Sequence, residues 1–148
     1  MNGLRTLASL EADERGLALR ALALVLAIRI ALWVVPFQRL QRAVSPGGSW
    51  ESLPISISSD MPVSRLVWAV RAASRRIPAA SCLTQSLALH YLLTRAGHRS
   101  VIRIGAAKEA DVGFMAHAWV EYEGKPLLSA PEEVARYVRI FEVEDKLA

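Results

Sequence analysis

The hydrophobic rhythm of the chain changes twice. The first half is helical in character. Residues 1–10 read as a short polar-leaning lead-in without a signal-peptide pattern. From about Glu11 the chain turns strongly helical, with Glu11, Asp13 and Glu14 complementing the dipole of the first turns. Leu17–Val35 is nearly continuous apolar sequence, broken by Arg20 and Arg29. No uncharged run there approaches the ~20 residues of a membrane span, and a mid-helix arginine costs roughly 2.5–3.5 kcal/mol on insertion. The expectation is a largely buried helix with its arginines on one exposed edge. A membrane-surface helix is the second reading and a transmembrane span the third. Pro36 limits this helix, and Phe37–Val44 adds a turn or two, basic on one side. Ser64–Arg75 follows as another helix behind Pro62, with Val63, Leu66, Val67 and Val70 at helical spacing.

Pro78-Ala79-Ala80 is a short non-helical approach to a third major helix. Ser81 is its N-cap, Cys82 its first residue, and Gly97 its stop. After Gly97 the pattern alternates. Arg99–Gly105 reads as a strand, Lys108–Asp111 as a polar connection, and Val112–Tyr122 as a longer strand. Glu123-Gly124 is a two-residue hairpin turn, Lys125–Ser129 returns antiparallel, and Ala130–Glu133 opens a helical turn. Tyr137–Val143 reads as the last strand. Helices followed by an antiparallel meander make an α+β fold. The organisation expected is an N-terminal helical part at 1–44, a Ser/Pro/Gly-rich linker at 45–60 with Trp50 as an anchor, and a core at 61–148, joined as one compact unit.

Composition narrows the chemistry. The 148 residues are 53% hydrophobic, enough for one real core. A single cysteine excludes an intramolecular disulfide and any multi-cysteine metal site, and suits a reducing cytoplasm. The net charge of +4 admits nucleic acid, an anionic membrane or an acidic protein partner. There is no aromatic-and-basic stripe and no zinc-finger spacing, so nucleic acid is the weakest of these. Arg71, Arg75 and Arg76 read first as a solvated helix end and second as a contact for an acidic peptide.

Cys82 and His117 are the candidate chemistry. A thiol at a helix N-terminus lies at the positive end of the dipole, which favours negative charge on sulfur. Phe114–Glu121 reads as a strand carrying His117. A lone cysteine or a lone histidine is more often packed than reactive. Together, a sulfur on a helix start and an imidazole on a strand are the two parts of a cysteine nucleophile and its base.

The strings Ser81-Cys82-Leu83-Thr84-Gln85-Ser86-Leu87-Ala88-Leu89, Leu92-Leu93-Thr94-Arg95-Ala96-Gly97-His98, Val101–Gly105 and Ala116-His117-Ala118-Trp119-Val120-Glu121-Tyr122-Glu123-Gly124-Lys125-Pro126 resemble the transglutaminase-like leader peptidases of lasso peptide biosynthesis. The resemblance covers about residues 60–140 and is closest to the split form, in which a winged-helix leader-binding protein is separate. It implies a papain-like core with Cys82 as nucleophile and His117 as its partner. The implied partners are a leader–core precursor peptide, that leader-binding protein and the lasso cyclase. The cyclase's ATP chemistry has no counterpart here, since there is no P-loop. No cofactor, metal ion, nucleic acid or transmembrane span is expected, and the location expected is the cytoplasm.

The family's aspartate position is occupied by Ser129. A serine can accept from the imidazole N–H but brings no charge to an imidazolium. Either Ser129 orients His117 or a nearby acid, Glu132, substitutes. Glu121 shares the face of His117 but lies about 13 Å along the strand. The Cys82 backbone N–H is the natural oxyanion donor, with Gln85 as a possible second. Trp119 either walls the substrate site or packs in the core. His90 and His98 read as structural. The alternatives to a peptidase are an acyltransferase on the same core and a non-catalytic peptide-binding module.

Overall fold

A computed structural model describes residues 12–44, 55, 57–77 and 80–144. The expected lead-in, most of the expected linker including Trp50, and Pro78-Ala79 lie outside the described residues. The elements are α1 (Ala12–Val34), α2 (Phe37–Val44), α3 (Val63–Ser74), α4 (Cys82–Arg95), β1 (Val101–Glu109), β2 (Gly113–Tyr122), β3 (Lys125–Leu127), α5 (Pro131–Val134) and β4 (Val138–Glu144). The α+β class expected from the sequence is the class observed.

Helix α1 buries one stripe. Leu17, Ala21, Leu24, Val25 and Ile28 recur at three- and four-residue steps and are no more than 2% exposed. They form one core with Leu66, Ala69 and Val70 of α3 and Leu89, Leu92 and Leu93 of α4. The other side of α1 corrects the expectation of a largely buried helix. Leu19, Leu26, Ile30, Trp33 and Val34 are 48–80% exposed. A helix apolar all round gives no sequence signal for which side finds a partner. Arg20 is exposed, while Arg29 is half-buried with its guanidinium 5.4 Å from the Trp33 ring centre. Among the described residues one stretch, Glu14–Val34, is long and apolar enough to cross a membrane. Its inner stripe is already committed to the protein core.

Helix α4 is the centre of the molecule. Leu89, Leu92 and Leu93 are fully buried, each contributing roughly 1.5–3 kcal/mol. Buried polar groups on such a helix need partners. His90 finds one in Ser100, with Nδ1 and Oγ 2.6 Å apart. The helix ends as its sequence dictates. Gly97 takes φ +84, the His98 N–H bonds the Leu93 carbonyl at 2.8 Å, and the Gly97 N–H bonds that of Thr94 at 3.1 Å. His98 then anchors the preceding loop, its Nε2 lying 2.7 Å from the Met61 carbonyl.

The four strands lie in the order β3-β2-β1-β4, and every pairing is antiparallel. Glu123 and Gly124 both take positive φ, as a tight hairpin turn requires, and Tyr122 pairs with Lys125. Three strand expectations change, one being the return strand, which ends at Leu127 rather than Ser129. β1 runs on through Glu109, because Ala106, Ala107 and Lys108 pair with Ala116, Met115 and Phe114. Alanines and a lysine carry little strand signal of their own. The sheet is also not a simple meander, since β4 returns to the far edge beside β1 and shifts register between Ile104 and Gly105. Ile102 and Val120 face α4 and complete the core.

Candidate active site

The site is built at the start of α4. Ser81 caps the helix, its hydroxyl accepting from the Thr84 N–H at 3.2 Å and lying 3.0 Å from the Thr84 hydroxyl. Cys82 is half-buried at the first helical position. Its Sγ accepts from the Ala118 N–H at 3.5 Å. That places the sulfur against the backbone of the residue next to His117.

The amide is available because β3 is short. β3 pairs only Val120–Tyr122 of β2, and the register would next set residue 129 opposite Ala118. The chain instead turns at Leu128, which takes φ +66, a conformation that a branched side chain rarely adopts. The turn frees the β2 edge for the sulfur and brings Ser129 to the imidazole.

His117 is held on every side. Its Nε2 lies 3.0 Å from the Ser129 Oγ and 3.8 Å from the Glu133 carboxylate. Its ring stacks on Tyr137, at 5.1 Å between centres, and on Trp119, at 6.0 Å, and those two rings also meet at 6.4 Å, so the three form a triangular cluster. Because Nε2 faces Ser129, Nδ1 is the nitrogen left to exchange a proton with another group. Gly105 makes this cluster possible. A Cβ there would lie 2.7 Å from the Tyr137 Cβ and 3.0 Å from the Trp119 ring.

The cluster rests on a buried carboxylate. Glu121 accepts from Trp119 Nε1 at 3.0 Å, from Arg103 Nε at 2.7 Å and from Arg139 at 3.2 Å. Arg103 also pairs with Glu142. Burial works to raise the Glu121 pKa. The hydrogen bonds from Trp119 and Arg103, with the charges of Arg103 and Arg139, outweigh it and hold the carboxyl below its ordinary value near 4.5. The folded pKa is thus depressed. The stability Glu121 contributes is present above the unfolded value and is lost as pH falls through the folded one. Glu121→Leu strands the indole N–H and leaves Arg103 with Glu142 alone. It is expected to cost about 2 kcal/mol at neutral pH, measured by urea unfolding, and to flatten the stability profile below about pH 4.5.

The expected site residues separate into two groups. Ser129 meets the His117 imidazole, and the Cys82 sulfur rests on the amide of the next residue, Ala118. Glu132 is exposed, and the carboxylate that reaches the imidazole is that of its neighbour, Glu133. One step on a helical turn rotates a side chain by about 100°, and the sequence alone did not say which of two adjacent glutamates faces inward. Gln85 donates its side-chain amide to the Ala80 carbonyl at 3.0 Å. It braces the approach to Cys82 rather than facing the sulfur. Trp119 is 1% exposed, so it backs the imidazole and offers no surface to a substrate. Tyr137 and Gly105 were not singled out from the sequence. Their signal was the start of β4, whose place beside β1 was not readable. Among the described residues no cluster of His, Cys, Asp or Glu is suited to a metal ion.

A helix-borne thiol set against the strand that carries an imidazole, on a small antiparallel sheet, defines the fold class of cysteine-nucleophile peptidases and acyl transferases. The chain belongs to the transglutaminase-like superfamily, whose sequence profile matches residues 22–142. That match begins inside α1, so it takes in the second half of this helix together with the sheet. No curated protein and no solved structure matches the chain.

Proposed function

We propose that the protein is a cysteine peptidase that removes the leader from a ribosomally made lasso peptide precursor, acting in the cytoplasm beside a separate leader-binding protein. The observation that carries the chemistry is the Cys82 sulfur seated on the Ala118 amide, one residue from His117. Cys82 gives up its proton to His117 and attacks the carbonyl of the scissile peptide bond. The amide of Cys82, at a helix start with no intrahelical acceptor, faces the developing oxyanion. His117 then protonates the departing amine, and water hydrolyses the thioester. The precursor binds extended, since open sheet edges recruit peptide strands.

Ser129 holds the imidazole without adding charge, and Glu133 supplies the charge from just beyond it. At 3.8 Å and with Glu133 half in solvent, this attraction is worth about 1 kcal/mol, or about five-fold in rate. Glu133→Gln is therefore expected to lower kcat about five-fold with little change in KM. In a Ser129→Asp background the same change is expected to have almost no effect, because the new carboxylate takes over the role.

The test is to incubate the purified chain with a leader–core peptide, with and without the leader-binding protein, and to weigh the products. Two fragments whose masses sum to substrate plus water support the proposal. No cleavage under either condition overturns it. Conjugates formed when an amine is added would assign the site to acyl transfer instead.

A further inference from the structure

We propose that the outward face of α1, with the arginines of α1 and α2, docks the protein on an anionic lipid surface, α1 lying in the headgroup plane. The inference stands apart from the peptidase proposal and uses none of its residues. Leu19, Leu26, Ile30 and Trp33 follow one another at steps of seven, four and three residues, so they share one side of the helix. They are 58%, 48%, 56% and 80% exposed. Ala23 lies on the same side and is exposed as well. The stripe is about 21 Å long at the helical rise.

The helix cannot turn this stripe inward. Its opposite side, Leu17, Ala21, Leu24, Val25 and Ile28, is locked into the core with α3 and α4. For the same reason α1 cannot span a bilayer without tearing its inner stripe from the protein. The geometry that remains is a helix half-set in the protein and half-set in something apolar.

Charge identifies what that is. Between Glu14 and Glu51 the sequence has five arginines, at 15, 20, 29, 39 and 42, and no acidic residue. Arg39 and Arg42 are exposed on α2, directly after the stripe ends. Arg29 extends over the face of Trp33, 5.4 Å from its centre. A seam for a second copy of the chain carries flanking charges of both signs. Here two copies laid face to face would bring arginine against arginine. An apolar stripe with tryptophan at one end and only arginines around it matches the boundary between acyl chains and anionic headgroups.

The experiment is vesicle co-sedimentation of the full chain, comparing pure phosphatidylcholine with vesicles containing about one-third phosphatidylglycerol. Binding at least ten-fold stronger to the anionic vesicles, and weakened by salt, is expected. Ile30→Ser with Trp33→Ser is expected to lower that binding ten-fold or more while leaving the thermal transition unchanged. Arg39→Glu with Arg42→Glu is expected to abolish the anionic preference without changing the fold. Equal binding to both vesicle types, or binding unaltered in both double variants, overturns the proposal. So does a concentration-dependent dimer that the Ile30/Trp33 variant dissolves, since that assigns the stripe to a second copy. Resistance to alkaline carbonate extraction overturns it in favour of a span.

Discussion

Replacing Cys82 with alanine is expected to abolish peptide cleavage, a loss of at least about ten-thousand-fold, while the protein still folds. Among the described residues the sulfur's hydrogen-bond partner is the Ala118 N–H, on the β2 edge beyond the end of β3. Ala118 is buried, so leaving its N–H without that acceptor costs about 1–3 kcal/mol, which leaves the core formed. The helix keeps its start, since the cap belongs to Ser81 and Thr84. Full-length substrate by mass spectrometry and a single cooperative denaturation transition, lowered by no more than that amount, are the two readouts. Residual turnover within ten-fold of wild type would remove Cys82 from the chemistry. His117→Ala is expected to match the loss of cleavage but also to destabilise. The imidazole is one member of a three-ring cluster with Tyr137 and Trp119, and removing it leaves a void.

Gly105→Ala is expected to have the second largest effect, and it touches neither sulfur nor imidazole. The added methyl would stand 2.7 Å from the Tyr137 Cβ and 3.0 Å from both the Trp119 ring and the Val138 carbonyl. Two of the three obstacles are backbone or the first atom of a side chain, so no flexible tip can swing aside. Overpacking of this kind costs about 2–3 kcal/mol. The strain falls on the two rings that hold His117, so kcat is expected to fall further than stability alone requires. Glu121→Leu offers the comparison. It removes similar stability from the same region without pressing on the cluster, and it is expected to retain more activity per unit of stability lost. Wild-type stability and turnover in Gly105→Ala would show that the sheet yields at no cost.

The parts of the fold readable from sequence were those fixed by neighbours in the chain. The cap at Ser81, the stop at Gly97 and the turn at Glu123-Gly124 depend on residues within one turn of each other, and local chemistry decides them. Ser129 as the partner of His117 was readable only through the family resemblance, and the contact forms because the hairpin register breaks at Leu128. What was not readable depends on distant partners. β4 pairs with β1, a choice made by the sheet as a whole. The roles of Gly105 and Tyr137 follow from that choice. Glu133 rather than Glu132 meets the imidazole because of how a single helical turn is rotated. The inner and outer sides of α1 are equally apolar, so only the assembled core distinguishes them.

The left-handed turn at Leu128 makes the hairpin deliberately imperfect. A chain that continued straight would add ladder bonds and close the sheet like a zipper run to its end. The repaired edge would then occupy the very donor on which the thiol rests, and Ser129 would be drawn into line with the strand. A substitution that straightens this bend should therefore yield a tougher protein and a poorer catalyst, toughness and reactivity competing for a single backbone hydrogen.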